Sequence, residues 1–342
     1  MSSPTPVGTL MGSGIEVEHL GKDFGGQTAV DDVSFTVAPG TVLALLGPNG
    51  AGKTTTVSML STLLQPDRGT ARICGFDVRD RSHDVRRIIS LTGQFAALDE
   101  ALTGRENLTL FGELNGLSRS AARTRADELL GYFDLTDAAR KRVGKYSGGM
   151  RRRIDIACGL IVRPQVVFLD EPTTGLDPRS RMGVWNLVRA LRSEGVTTVL
   201  TTQYLEEADE LSDRIVVIDH GTVVAEGTAD ELKTQVADTY CEIQCARVAD
   251  VSRAATGLAF TLGLSVTRVG DTDDRIALAA RDGAATVAAA AGFLADAGIE
   301  VTDIRLARPS LDQVFVALTG GDAHADPQRR GRHAAAGPAA AS

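Results

Sequence analysis

Apolar and polar positions alternate over residues 15–20 and 33–37, which is the two-residue period of half-buried strands. An apolar run follows at 41–46 and reads as a buried strand. Residues 47–52 hold too many glycines for helix or strand. Residues 53–64 have helical spacing that stops near Pro66. Residues 84–145 read as mostly helical, with breaks near Gly93, Gly116 and Gly131 and an amphipathic stretch at 121–133. Ser147 stands where it caps a helix running to about Val162. A second buried strand is expected at 165–169, a third at 197–202 and a further strand at 214–219, with helices at 179–193 and 205–211. Strands alternating with helices predict an α/β fold with a mostly parallel sheet.

Composition shifts near Leu232. Beyond it, residues 239–247, 248–260, 264–269, 275–280, 284–297 and 299–306 read as strand, helix, strand, strand, helix, strand. That is the order of a split βαβ module. A closing helix is expected at 311–318. The ends of the chain, 1–14 and 320–342, are rich in small and polar residues and are expected to be flexible and disordered respectively.

The chain has 342 residues, 43% apolar and 23% charged, ordinary values for a globular protein. Its net charge of -8 argues against a general nucleic-acid binder, and no nucleic-acid partner is expected. Cys74, Cys158, Cys241 and Cys245 form no Cys-x-x-Cys pair. Cys241 and Cys245 share one face of a strand but lack nearby histidines, so buried or idle thiols are expected rather than a metal site. No segment reaches the roughly 18–20 unbroken apolar residues of a membrane span. Residues 284–295 are short, alanine-rich and flanked by Asp282 and Asp296. No signal-peptide pattern opens the chain. A cytoplasmic protein is expected; if it works at a membrane, another chain provides the spans.

Gly47-Pro48-Asn49-Gly50-Ala51-Gly52-Lys53-Thr54 satisfies the pattern G-x-x-x-x-G-K-[ST], with a buried strand before it and a helix after it. Glycines let backbone N–H groups turn inward around phosphates, and the helix N-terminus adds a favourable dipole. Lys53 is placed to reach the β/γ-phosphates and the Thr54 hydroxyl to ligate Mg²⁺. Asp170 ends an apolar strand, where a carboxylate can meet that metal directly or through water. Glu171 follows it and is placed to polarise an attacking water. An isolated Asp-Glu would read as a strand end capping the next helix; downstream of a P-loop it reads as catalytic. Ser147-Gly148-Gly149 opens a helix with free N–H groups, an anion site by geometry. Alone it would read as an ordinary Ser N-cap with glycines.

In this order the motifs resemble the nucleotide-binding domain of ATP-binding cassette (ABC) transporters. Gly47 to Thr54 is similar to Walker A, Tyr146-Ser147-Gly148-Gly149-Met150 to the signature, Phe168-Leu169-Asp170-Glu171 to Walker B and Gly175-Leu176-Asp177 to the D-loop. Gln94 matches the Q-loop glutamine, and Phe24 falls where the family places an aromatic against adenine. The alternative for Phe24 is a core position. The stretches 146–153, 201–209, 310–315 and 318–320 resemble the daunorubicin/doxorubicin-resistance type of ATP-binding subunit.

The resemblance implies a P-loop cassette with antiparallel β and helical subdomains and a small C-terminal α+β module. The implied domains are an ATP-binding domain at 15–235, with a helical subdomain at about 95–145, and an accessory domain at 236–319. The implied cofactors are ATP and Mg²⁺. Nucleotide contacts fall on Phe24, Gly47, Pro48, Asn49, Gly50, Ala51, Gly52, Lys53, Thr54, Thr55, Ser147, Gly148, Gly149 and Asp177. Metal contacts fall on Thr54, Gln94 and Asp170, and catalytic roles on Glu171, Gln94, Gln203 and Lys53. The implied partners are a second copy of the chain, closing over the nucleotide, and an integral-membrane ABC-2 permease. The location implied is the cytoplasmic face of the cell membrane. The activity implied is ATP hydrolysis driving export of a hydrophobic drug-like compound, with lipid or polymer cargo, or a soluble ABC ATPase, as alternatives.

Two departures stand out. Gln203 occupies the position of the family's switch histidine; its amide can donate to a γ-phosphate but carries no charge or proton, so slower turnover is expected. Tyr146 and Met150 replace the common Leu and Gln of the signature. The run Arg151-Arg152-Arg153 and the acids Glu206, Glu207, Asp209 and Glu210 read as solvated helix faces.

Overall fold

A computed structural model describes residues 14–93, 98–236, 239–268, 273–280, 282–307, 311, 314 and 315. The expectations for Gln94, for most of the closing helix and for the two chain ends lie outside these residues. The chain divides into two compact units, Met1–Gln235 and Val236–Ser342.

The first unit contains two sheets. In the first, β1 (Ile15–Phe24) pairs antiparallel with β2 (Gln27–Val37) across Gly25-Gly26. On its other edge β1 pairs with β4 (Arg68–Ile73), which continues to the short β5 (Phe76–Asp77). The second sheet is parallel through β9 (Arg214–Asp219), β3 (Val42–Leu46), β8 (Thr197–Thr202), β7 (Val166–Asp170) and β6 (Ile89–Thr92), in that order. An antiparallel edge strand, β10 (Thr222–Gly227), completes it. Strands β3, β7 and β8 are buried throughout, as their unbroken apolar or threonine-rich sequences require of a sheet covered on both faces. One core joins the two sheets: Ile15, Val33 and Phe35 meet Leu43, Phe168 and Val199, with Val57 and Leu60 from helix α1 (Lys53–Leu60).

Helix α2 (Ser82–Ile88) precedes β6. Two helices stand apart from the sheet. Helix α3 (Gly104–Leu114) starts at a reciprocal capping box between Thr103 and Glu106, and α4 (Arg119–Tyr132) is capped by Ser118. Helix α5 (Gly148–Gly159) leads into β7, α6 (Pro178–Ser193) into β8 and α7 (Leu205–Leu211) into β9. Helix α8 (Ala229–Val236) closes the unit.

The pattern-based reading departs from this architecture in places. Residues 84–145 are not helical throughout: they contain β6 and two short 3-10 turns, Thr136–Ala138 and Val143–Lys145. Strands β4, β5, β6 and β10 are short or polar, and their state is set by pairing to a neighbour rather than by local preference. Helix α1 ends at Leu60 because Thr62 turns to a positive φ of 64°.

The second unit runs β11 (Tyr240–Cys245), α9 (Val248–Leu262), β12 (Val266–Arg268), β13 (Arg275–Ala279), α10 (Ala284–Asp296), β14 (Val301–Ala307). Its antiparallel sheet has the order β12-β13-β11-β14. Cys241, Ile243 and Cys245 face inward with Val251, Leu258 and Leu294. Burial raises the pKa of both thiols, which suits inert core residues.

Candidate functional site

The sheet order places the chemistry. In an open parallel sheet, ligands bind outside the carboxyl ends of the strands. Here three adjacent strands, β3, β8 and β7, end at Leu46, Thr202 and Asp170. The loop carrying Lys53, the residue Gln203 and the pair Asp170-Glu171 therefore emerge side by side.

The loop from Gly47 turns tightly into α1. Gly52, the N-cap, has φ 102°, and a Cβ there would lie 2.6 Å from the Ala29 carbonyl oxygen. Both facts demand glycine. Lys53 is 4% exposed, and its Nζ donates to the carbonyls of Gly47 at 2.8 Å and Pro48 at 3.0 Å. Glu171 Oε1 lies 3.8 Å away. Burial lowers the Lys53 pKa, against the opposing pull of Glu171 and Asp170. The ammonium is thus held by carbonyls and carboxylates inside the loop where the sequence places phosphates.

Thr54 Oγ1 donates to Asp170 Oδ1 at 3.0 Å, and Thr201 Oγ1 donates to the same oxygen at 2.6 Å. Thr201 lies on β8, between the strands that deliver the other two. A hydroxyl and a carboxylate already in contact are hard oxygen donors of the kind Mg²⁺ takes when it is shared with phosphates. Among the described residues no group of three or more His, Cys, Asp or Glu could hold a metal by protein ligands alone. The donor set therefore fits a cation that arrives with phosphate oxygens.

Glu171 has φ 45°, a left-handed conformation that costs a non-glycine residue roughly 1–3 kcal/mol. Its N–H donates to Thr201 Oγ1 at 2.9 Å, and its Oε2 accepts from Thr174 Oγ1 at 3.1 Å. The carboxylate is thereby turned toward Lys53 rather than along the strand.

Ser147 caps α5 by accepting from the Met150 N–H. Ser147 and Gly148 are exposed, whereas Gly149 is buried. A Cβ at Gly149 would stand 2.1 Å from Ser180 Oγ. Ser180 belongs to the first turn of α6, where Asp177 accepts from its N–H and its hydroxyl. Those bonds hold the Asp177 pKa below the usual carboxylate range. Tyr146 fills the interior and donates to the Ala138 carbonyl at 2.8 Å.

A cavity of about 1020 Å³ opens over these elements. Asn49, Gly50, Gly52, Lys53, Thr54 and Thr55 line it together with Glu171, and Gly148 lines it too. Phe24, Ser147, Asp177 and Gln203 are not among its lining residues. Phe24 ends β1 and is 46% exposed, with Lys22 Nζ 5.5 Å from its ring centre; it is not a core residue. Gln203 is half-buried.

Two surface expectations are corrected. The Arg152 side chain is 11% exposed and points into the protein, where its fork donates to three main-chain carbonyls. Glu207 is 1% exposed and accepts from Trp185 Nε1 at 3.3 Å. Burial pushes its pKa up, partly offset by Thr202, Thr173 and Trp185. Charge in the sequence suggested solvent for both; neighbours distant in the chain supply their partners.

A model of the ABC transporter family matches residues 30–174. The chain is 57% identical over 292 residues to the doxorubicin resistance ATP-binding protein DrrA of Mycobacterium tuberculosis, covering 85% of this chain and 88% of that relative. It is 50% identical over 307 residues to the daunorubicin/doxorubicin resistance ATP-binding protein DrrA of Streptomyces peucetius, covering 90% and 92%. A solved structure of an ATP binding subunit of an ABC transporter superposes with a TM-score of 0.59 at 32% identity, covering 65% of this chain and 92% of that one.

Proposed function

We propose, from the premise that this chain belongs to the ABC transporter ATP-binding proteins of the doxorubicin/daunorubicin-resistance type, that it drives export of a hydrophobic drug-like compound. It is an ATPase subunit, and among the described residues no helix is long and apolar enough to cross a membrane. The observation that carries the mechanism is the meeting of Lys53, Thr54, Asp170 and Glu171 at the ends of adjacent strands.

In this reading the backbone N–H groups of residues 47–55 cradle the ATP phosphates. Lys53 leaves the Gly47 and Pro48 carbonyls for the β/γ-phosphates, and Phe24 stacks on adenine. Thr54, Asp170 and Gln94 would hold Mg²⁺, which when bound would neutralise charge on the phosphates. Glu171 orients and polarises the attacking water, a role that Gln94 shares by motif order, and Gln203 donates to the γ-phosphate. Ser147, Gly148 and Gly149 of a second copy, with its Asp177, close over the same nucleotide. The exposure of Ser147 and Gly148 at that helix N-terminus supports the role. Closure completes the site, and hydrolysis reopens the pair.

The domain assignment follows: ATP binding at 15–235, motion carried by a helical subdomain at about 95–145, and dimer or partner stabilisation by 236–319. The membrane partner is an ABC-2 permease, which places the subunit at the cytoplasmic face of the cell membrane. Reconstitution with a permease in vesicles tests the reading. ATP-dependent movement of an anthracycline, abolished by Lys53→Ala, is expected. Movement of lipid or polymer in its place would overturn the cargo, and no ATP-dependent movement would overturn the transport role.

A further inference from the structure

The middle member of the run Arg151-Arg152-Arg153 behaves unlike its neighbours. Arg151 reaches outward to Glu100 at 3.1 Å, and Arg153 reaches the Phe133 carbonyl at 2.8 Å. Arg152 turns toward the ends of the parallel sheet. Its Nη1 donates to the Gly93 carbonyl at 2.7 Å, Nη2 to the Asp170 carbonyl at 3.0 Å and Nε to the Pro172 carbonyl at 3.1 Å. Asp155, one helical turn on, lies 3.6 Å from Nη1.

These three acceptors are not arbitrary. Gly93 follows the end of β6, and Asp170 ends β7; the last paired residues of the two strands are Thr92 and Leu169. Beyond that pair the ladder between them stops, so the carbonyls there need other donors. A planar fork spreads its five N–H groups over three nitrogens and reaches carbonyls that diverge, whereas an ammonium's donors all sit on one nitrogen. Asp170 and Pro172 flank Glu171, the residue with φ 45°. Two of the three bonds therefore hold the carbonyls of the residues on either side of a strained residue, while Thr201 holds its N–H. The third bond holds the residue immediately before Gln94. Burial alone would disfavour the charge, and Asp155, Asp170 and Glu207 counter that cost.

We propose that Arg152 is a positioning residue for hydrolysis. Anchored in the helix that opens at Ser147, it fixes the backbone on both sides of Glu171 and ahead of Gln94. A displacement imposed on Ser147–Gly149 then reaches the water-activating carboxylate of the same chain through one side chain. The proposal rests on the role given above to Glu171.

The test uses the full chain carrying Arg152→Met or Arg152→Lys, with steady-state hydrolysis and equilibrium binding of a fluorescent ATP analogue. Arg152→Met should lower kcat about ten- to a hundredfold, the scale of a small misplacement of a reacting group. KM and nucleotide affinity should stay unchanged. Arg152→Lys should recover a minor part of the rate, since one ammonium cannot serve three divergent carbonyls. An unchanged kcat overturns the proposal, as does a loss of affinity equal to the loss of rate. If the Met variant fails to fold, the Lys variant is judged by the same kcat-against-affinity criterion. Glu171→Gln separates the two claims. Undiminished hydrolysis there overturns the role of Glu171 and the proposal with it. A lost rate there beside a normal rate in the Arg152 variants overturns the positioning role alone.

Discussion

Thr54 Oγ1 donates a 3.0 Å hydrogen bond to Asp170 Oδ1 across 116 residues of chain. The contact joins the start of α1 to the end of β7 over the intervening strand β8. If the pair holds Mg²⁺ with ATP phosphates, Thr54→Val and Asp170→Asn should each raise the Mg²⁺ concentration for half-maximal hydrolysis by about tenfold or more. Titration of Mg²⁺ at fixed ATP reads this directly. An unshifted midpoint in both variants would remove the pair from the metal site.

Gly149 packs against Ser180 with no room for a methyl group, since a Cβ would come within 2.1 Å of the hydroxyl oxygen. Gly149→Ala should push the start of α5 off α6 and cost about 1–3 kcal/mol of stability, as overpacking does. Adding Ser180→Gly should restore part of that loss, because it removes the clashing atoms along with the Ser180–Asp177 bond. Chemical denaturation of the single and double variants measures the coupling. Strict additivity would show that the two positions do not press on each other.

Gln203 follows Thr202 at the end of β8, between the strands that deliver Lys53 and Asp170. Its amide has no titration, whereas a histidine changes charge near pH 6.5. Gln203→His should raise turnover and add a pH dependence in that region. Gln203→Ala should lower turnover on the order of a hundredfold if the amide donates to developing charge. Rate profiles between pH 5.5 and 8.5 decide it; three identical profiles would take Gln203 out of the reaction.

Glu207 gives a pH-dependent contribution of known sign. Burial raises its native pKa above that of the unfolded chain. Below the unfolded value both states hold the proton, and stability is unaffected. As pH rises, the unfolded chain ionises first, and stability falls until the pH passes the native value. Glu207→Gln keeps an acceptor for Trp185 Nε1 and removes the titration. Its stability relative to the unaltered chain should therefore rise as the pH climbs through the unfolded-chain carboxyl value of about 4.3 and level off once the native value is passed. Thermal melts across that range should show the divergence; a constant offset would mean that Glu207 is charged without penalty.

The strand, loop and helix around Lys53 are legible because an apolar run, a glycine cluster and a helical period follow one another within a short stretch. The order β3-β8-β7 is not, since adjacency there depends on pairings between residues far apart in the chain. That order is what brings Thr201 between Thr54 and Asp170. The short strand β6 is hidden for the same reason: Ile89 to Thr92 become a strand by pairing with Val166 to Leu169. Arg152 and Glu207 mislead the reader of sequence most. A charged residue on a helix reads as solvated unless its partners are known; those of Arg152 are the carbonyls of Gly93, Asp170 and Pro172, and that of Glu207 is the Trp185 indole N–H. Gln94 carries a role from motif order and lies outside the described residues.

The central claim is that Glu171 drives hydrolysis within a site completed by a second copy. Glu171→Gln keeps the side chain's shape and removes its basicity, so bound ATP should persist and hold two copies together. Light scattering of this variant with ATP and Mg²⁺, beside its hydrolysis rate, is the direct measurement. The account predicts an ATP-dependent dimer with turnover at least about a hundredfold below the unaltered chain. A monomer in saturating ATP, hydrolysing at the unaltered rate, would contradict it.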